Sequence, residues 1–174
     1  ANPNFKSILL LFFNPIGAHP SAQIGEYPQG IPQNLVPFLT QTVIGKRPKL
    51  TVFGSNYDTP DGTCIRDYIH VMDLAQAHIE SLNYLLSSKQ NSSCEIFNVG
   101  TGRGASVLEL IQEFERATGE KVPYELSAPR AGDTVAAFAD VTKIEKQLGW
   151  KAQHSLQEAL KSAWDWEQQI HVLS

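Results

Sequence analysis

Ile8-Leu9-Leu10-Leu11-Phe12-Phe13, closed by Asn14-Pro15-Ile16-Gly17, is the stretch on which the fold turns. Six consecutive apolar residues ending at an Asn-Pro turn read as a β-strand, without the polar alternation of a half-exposed sheet. Strands of this kind normally lie in a sheet covered on both faces. Ahead of it stands Ala1-Asn2-Pro3-Asn4, a loop-like stretch, and the chain supplies few other candidates to flank the strand. The expectation is a strand that belongs to a larger sheet, with a front half lying outside these residues. The run is far below the roughly 20 residues of a membrane span. It is also shorter than a signal-peptide core, although Lys6 ahead and Ala18 to Ala22 behind imitate one.

The 174 residues are 42% hydrophobic and 18% charged, with 14 Lys+Arg against 18 Asp+Glu and a formal net charge of −4. Such a chain can fill one core and is not disordered. A mildly acidic balance argues against nucleic acid or a membrane surface as partner. Lys46, Arg47 and Lys49, the densest basic cluster, are too few to track a phosphate backbone. Cys64 and Cys94 make neither a disulfide framework nor a metal-ligand spacing, which favours a reducing, cytoplasmic setting. The histidines at 19, 70, 78, 154 and 171 offer no zinc pair, so no metal is expected. No Gly-x-Ser-x-Gly elbow supports a hydrolase.

Outward from the first strand, Asn14 to Pro32 is a long segment rich in glycine and proline, a length more often functional than idle. A helix is expected from Asn34 to Ile44, with Asn34 as N-cap and Gly45 as its end. Strands follow at Leu50–Phe53 and near Arg66–His70. The next helix, Met72 to Leu86, is expected to bury Leu74, Ala75, His78, Leu82, Leu85 and Leu86, with His78 a core histidine. Cys94–Val99 reads as a strand. Ser106-Val107-Leu108-Glu109 and Ser155-Leu156-Gln157-Glu158 read as reciprocal capping boxes opening two more helices. Between those helices lie strands near Val122–Leu126 and Val135–Ala139, and a helix capped by Asp140 that ends at Gly149.

Polar residues at element ends are the candidates for binding. Asn14 closes the first strand, where ligands of α/β sheets gather. The N-terminus at Asn34, Leu35 and Val36 suits a phosphate. Arg66 and Arg130 can pair bidentately with phosphate or carboxylate, or equally form surface ion pairs with Asp67 and Asp133. Gly100-Thr101-Gly102-Arg103-Gly104 lies where a dinucleotide turn would, but the third glycine follows the second by two residues, not three.

Three blocks carry a resemblance: Phe13-Asn14-Pro15-Ile16-Gly17-Ala18-His19; Pro28-Gln29-Gly30-Ile31-Pro32-Gln33-Asn34-Leu35; and Asp61 through Leu74, with Arg66-Asp67-Tyr68-Ile69-His70 at its centre. Phe97-Asn98-Val99-Gly100-Thr101-Gly102, Arg130-Ala131-Gly132-Asp133 and Leu148-Gly149-Trp150 continue it. In order and over essentially the whole chain, these resemble the second half of the UDP-glucose 4-epimerases, members of the extended short-chain dehydrogenase/reductases. The resemblance implies an α/β chain of mixed short strands and helices: the C-terminal, nucleotide-sugar-binding part, over residues 1–174, with one strand left from the Rossmann sheet. It implies NAD as cofactor, held mainly by an N-terminal Rossmann half, a UDP-hexose as substrate, and a homodimer when full length.

The family's base lies in a Tyr-x-x-x-Lys motif. Tyr27, Tyr57, Tyr68, Tyr84 and Tyr124 are followed four residues later by Ile31, Asp61, Met72, Ser88 and Ala128, so this chain carries no catalytic residue of that kind. By resemblance, Asn14, Asn34 and Leu35 meet the diphosphate, Thr51 and Phe53 line the uracil, Arg66 and Arg130 hold phosphate, and Asp133 holds a ribose hydroxyl. Phe12 and Pro15 sit beside the nicotinamide. Leu11 and Phe12 stand where the family commonly has arginine and tyrosine, and Ala131 where it has glutamate. Ala137 replaces a bulky tyrosine of some members, which implies room for an N-acetyl sugar. A non-catalytic UDP-sugar module, or another nucleotide-sugar enzyme of the superfamily such as a dehydratase or decarboxylase, are the alternatives.

Overall fold

A computed structural model describes residues 5–173; the loop expected over Ala1–Asn4 lies outside them. In chain order the elements are β1 (Ser7–Phe12), β2 (Asn14–Ile16), α1 (Leu35–Val43), β3 (Leu50–Phe53), β4 (Ile65–Arg66), β5 (Tyr68–His70) and α2 (Val71–Leu86). Then come β6 (Cys94–Val99), β7 (Ala105–Ser106), α3 (Val107–Thr118), β8 (Tyr124–Ser127), β9 (Ala136–Ala137), α4 (Thr142–Leu148) and α5 (Leu156–Leu173). The strands form four small sheets: β1–β6, β2–β5, β3–β8 and β7–β4–β9. All pairings are parallel except β4 with β7. The single strand expected near Arg66–His70 is two, broken at Asp67, because the chain changes partners there from β7 and β9 to β2.

Two cores result. One joins α1, β3, α3 and α5 through Leu39, Val52, Leu110, Phe114 and Leu160, with Phe114 edge-on to Trp164 at 5.8 Å. The other joins β6, α2 and α4 through Leu74, Ala77, Phe97, Val99, Ile144 and Trp150, and Ile8 and Leu10 of β1 pack against it. The cover expected on both faces of β1 exists on one only. Leu9 and Leu11 are 49% and 53% exposed, Leu9 lies opposite the half-exposed Ile96, and no second layer among the described residues reaches them.

Helix α2 departs from its expected stripe. Asp73, Leu74, Ala77 and Ser81 face inward, whereas Leu82 and Leu86 are open to solvent and His78 is exposed rather than a core residue. The small side chains Ala77 and Ser81 win the interior because they let the helix approach β1 and β5 closely. The capping boxes also divide. Ser155 and Glu158 exchange bonds as expected, but at Ser106 only the hydroxyl caps, accepting from the Glu109 N–H at 3.0 Å. The Glu109 carboxylate turns instead to Arg103 at 2.9 Å. Asp140 precedes α4 and accepts from the Thr142 N–H at 3.0 Å, while Gly119 and Gly149 end α3 and α4 with φ of 77° and 67°.

The long segment after β2 is strapped to α5. The Ala18 N–H donates to the Ser162 hydroxyl at 3.0 Å, and the Trp166 indole donates to the Glu26 carbonyl at 2.8 Å. Gly25 must be glycine, since a Cβ there would stand 2.4 Å from the Trp166 ring. Each member of the basic cluster is engaged: Lys46 pairs with Glu167, Lys49 with Glu125, and Arg47 lies over the Phe38 ring.

Candidate functional site

A cavity of about 550 Å³ opens between the start of α1, the ends of β2 and β3, and the strand of Arg66. The sequence candidates Asn14, Pro15, Asn34, Leu35, Thr51, Phe53, Arg66, Arg130 and Asp133 all line it, although they come from five separate stretches of chain. Phe12 and Ala137 do not. Phe12 is half exposed at the end of β1, beside the cavity residue Phe13, and Ala137 sits on β9 in register with Arg66.

Alternation on β3 explains the wall beneath the cavity: Leu50 and Val52 are anchored in the core, while Thr51 and Phe53 are the more exposed pair. The Arg130 guanidinium lies 4.9 Å from the centre of the Phe53 ring and grips Asp133 through two bonds of 3.1 Å. The hydrogen bonds to Asp133 hold Arg130 still more firmly in its charged form. Arg66 donates to the carbonyls of Ile65 and Thr134 at 2.8 and 2.7 Å, and its other nitrogen lies 4.0 Å from Asp133. Two fixed cations thus share one carboxylate, so positive charge is left over at the cavity.

The helix start adds to that field. Asn34 has the extended backbone of an N-cap, φ −87° and ψ 148°, yet its side chain makes no capping bond. Its amide instead donates to Glu26 at 2.9 Å. The first turn of α1 carries no acidic residue, so its N–H groups and the positive end of its dipole face the cavity wall without a side-chain partner. By contrast α2, α3 and α5 are capped by His70, Ser106 and Ser155.

Of the ion pairs weighed for the arginines, that of Arg130 with Asp133 forms and that of Arg66 with Asp67 does not. Asp67 has no exposed surface and faces the glycine-rich turn. Its Oδ1 accepts from the Thr101 N–H and hydroxyl at 2.8 and 2.7 Å, and its Oδ2 from the N–H groups of Gly102 and Ala139, each at 3.1 Å. A Cβ on Gly100 would stand 2.4 Å from Oδ2. The turn that resembles a phosphate loop is therefore filled by the chain's own carboxylate.

Sequence reasoning missed Phe13, Ile16, Cys64, Tyr68 and Val107 in the cavity wall. Tyr68 stood in the strongest sequence block but carried no signal of its own, since a buried tyrosine on a strand is ordinary. Burial raises its pKa, so the phenol stays protonated and can donate. Among the described residues no group of His, Cys, Asp and Glu could hold a metal, and no helix is long and apolar enough to cross a membrane.

The family model described as GDP-mannose 4,6 dehydratase matches residues 4–163. The chain is 49% identical over 166 residues to UDP-glucose 4-epimerase 1 of Oryza sativa subsp. japonica, covering 95% of this chain and 47% of that protein. It is 50% identical over 167 residues to the UDP-glucose 4-epimerase of Dictyostelium discoideum, covering 96% and 48%. Among solved structures, the UDP-glucose 4-epimerase of Stenotrophomonas maltophila, with NAD and formylated UDP-arabinopyranose, superposes with a TM-score of 0.92 at 44% identity, over 96% of this chain and 49% of that one. That of Bifidobacterium longum, with NAD+ and UDP, gives 0.90 at 42%, over 97% and 49%. The chain spans about half the length of the curated relatives it matches.

Proposed function

This chain belongs to the GDP-mannose 4,6 dehydratase family, and from that premise we propose that it is the nucleotide-sugar-binding part of a UDP-glucose 4-epimerase. The whole protein then interconverts UDP-glucose and UDP-galactose through a 4-keto intermediate. The observation that carries this reading is the gathering of Asn14, Asn34, Leu35, Thr51, Phe53, Arg66, Arg130 and Asp133 around one cavity with an uncapped helix start. Phe53 and Thr51 offer an apolar and a polar edge to the uracil. Arg66, Arg130 and the first turn of α1 neutralise the diphosphate, and Asp133 accepts from a ribose hydroxyl once Arg130 turns to phosphate.

NAD, when bound, supplies the acceptor and donor for the C4 hydride. The residues here fit only its nicotinamide edge, at Phe12 and Pro15. The donors of the Gly100–Gly102 turn are already taken by Asp67 and cannot hold a pyrophosphate. The catalytic base and most of the NAD site accordingly belong to a Rossmann part beyond residues 1–174. The bare apolar face of Leu9, Leu11 and Ile96 supports a further layer packing there. By the family resemblance the setting is cytoplasmic, in keeping with two free cysteines, and the whole protein is a homodimer through that other part. Ala137 lies on β9 in register with Arg66 rather than in the cavity wall; by the resemblance it is small where some members carry a bulky tyrosine, which extends the substrates to UDP-N-acetylglucosamine.

Epimerase turnover on UDP-glucose by the full-length protein, with none from residues 1–174 alone, is the expected result. No turnover by the full-length protein on any UDP-hexose would refute the reading. Activity on UDP-glucose with none on the N-acetyl sugar would refute the role given to Ala137.

A further inference from the structure

Between Arg66 and Tyr68, both in the cavity wall, lies a residue that does not line the cavity. Asp67 marks the point where the chain passes from the sheet of β4, β7 and β9 to that of β2 and β5. Its backbone bonds both ways across this joint. The Asp67 N–H donates to the Ala137 carbonyl at 3.1 Å, and its carbonyl accepts from the Asn14 N–H at 3.0 Å. Its carboxylate adds the bonds to Thr101, Gly102 and Ala139. The strand stretch that continues from the Arg130–Asp133 segment is thereby fastened, at Ala137 and Ala139, to the residue that follows Arg66, beyond the bonds that Ile65 and Arg66 make to Val135 and Thr134.

We propose that Asp67 is the positioning residue for the phosphate end of the site, holding Asn14, Arg66 and the Arg130–Asp133 segment in one geometry. The assignment rests on the reading of the cavity as a UDP-sugar site and deepens it. A buried carboxylate with four donors is rigid because each bond is charge-assisted and no water competes for it. An asparagine at 67 has the same shape, but its NH2 group would face an N–H donor and replace attraction by repulsion. The uracil side does not share this fastening: β3 pairs with β8, in a sheet to which Asp67 makes no bond. Disturbing Asp67 therefore acts first on phosphate, and on uridine only through Asp133 at the ribose and Arg130 over Phe53.

Calorimetric and NMR titrations of the full-length protein with UDP and with uridine separate the two ends. Asp67→Asn should lower UDP affinity by about tenfold or more, the loss expected for one charge-assisted contact, and uridine affinity by about threefold or less, through the ribose contact of Asp133. Thr101→Val, which keeps the side chain's shape and removes one of the four bonds to Asp67 together with the hydroxyl's bonds to the Arg103 backbone, should lower UDP affinity about threefold and uridine affinity by less. It decides the matter by itself if Asp67→Asn does not fold. Equal losses for UDP and uridine, or unchanged UDP affinity, would overturn the assignment by showing a general structural role or none. A wild-type protein that binds neither probe would overturn the reading of the cavity itself, so the two failures are distinguishable.

Discussion

Two stretches of this chain, the Gly100–Gly102 turn and the start of α1, present backbone N–H groups that suit an anion, and of the two only the second is open. At Gly100–Gly102 the donors close on Asp67, which lies buried at 2.8 to 3.1 Å from them. At the start of α1 the donors have no side-chain partner, since the Asn34 side chain is turned to donate its NH2 to Glu26 and its oxygen accepts no capping bond, and they border a cavity with two arginines. By local sequence the glycine-rich turn lies where a dinucleotide turn would, although its glycine spacing is off by one. Its donors are spent, so it is a piece of scaffold. A turn binds an external anion only where the fold has not supplied an internal one.

The contrast can be broken in four ways, beginning with the largest effect. Arg66→Leu removes a fixed cation from the open site and should cut UDP affinity ten- to a hundredfold, as expected for about 1.5–3 kcal/mol in bonds to a charged group. Uridine titrated in parallel should bind as before. If UDP affinity survives, the left-over positive charge is not what the site uses. Leu35→Pro is subtler. Proline is tolerated at the first helical position, and the extended Asn34 backbone accepts it, so α1 should persist while one N–H is lost. A fall in UDP affinity of about threefold to tenfold is expected by titration. An unchanged value would show that the helix start is as closed as the glycine turn.

Smaller effects concern the helices whose starts are already capped. Ser155→Ala should cost about 1 kcal/mol of stability in urea unfolding and leave UDP affinity alone. A change in affinity there would mean that α5 communicates with the cavity. His70 caps α2 by accepting from the Met72 N–H at 3.0 Å, so its Nδ1 must stay unprotonated. Burial, and next the neighbouring His154 ring at 4.4 Å, lower its pKa. The unfolded chain therefore takes up the proton first. Stability from the neutral ring is present above the unfolded pKa near 6.5 and is lost as pH falls toward the lowered folded value. The urea midpoint should decline on acidification through this range, and His70→Gln, which keeps an acceptor for Met72, should flatten the decline. An equally steep decline in that variant would place the titration elsewhere.

Much of this was legible along the chain. Leu50–Phe53 and Cys94–Val99 are strands as read, Gly119 and Gly149 end their helices, and Ser155 with Glu158 forms its box. These features are decided within a few residues, by alternation, by left-handed glycine and by side chains bonding their own backbone. The errors fall where a neighbour distant in sequence decides. Leu82 and Leu86 look like core residues because helical spacing cannot tell which apolar face finds a partner, and here Ala77 and Ser81 found it. Glu109 left its capping box because Arg103 stood within reach.

The sequence by itself determined most of the elements in their order, the family and nine of the residues that border the cavity, because these are written in local pattern and in motif identity. Only the tertiary structure decided which of two donor-rich stretches lacks an internal partner, and that Arg66 shares Asp133 with Arg130. It also showed that the carboxylate beside Arg66 points inward to the glycines. Those outcomes depend on distances between residues far apart in the chain, such as Asp67 and Ala139, Arg66 and Thr134 or Asn34 and Glu26. A hydrogen-bonding group's partner is settled by which competitor arrives first at about 3 Å, and no reading of neighbours along the chain contains that distance.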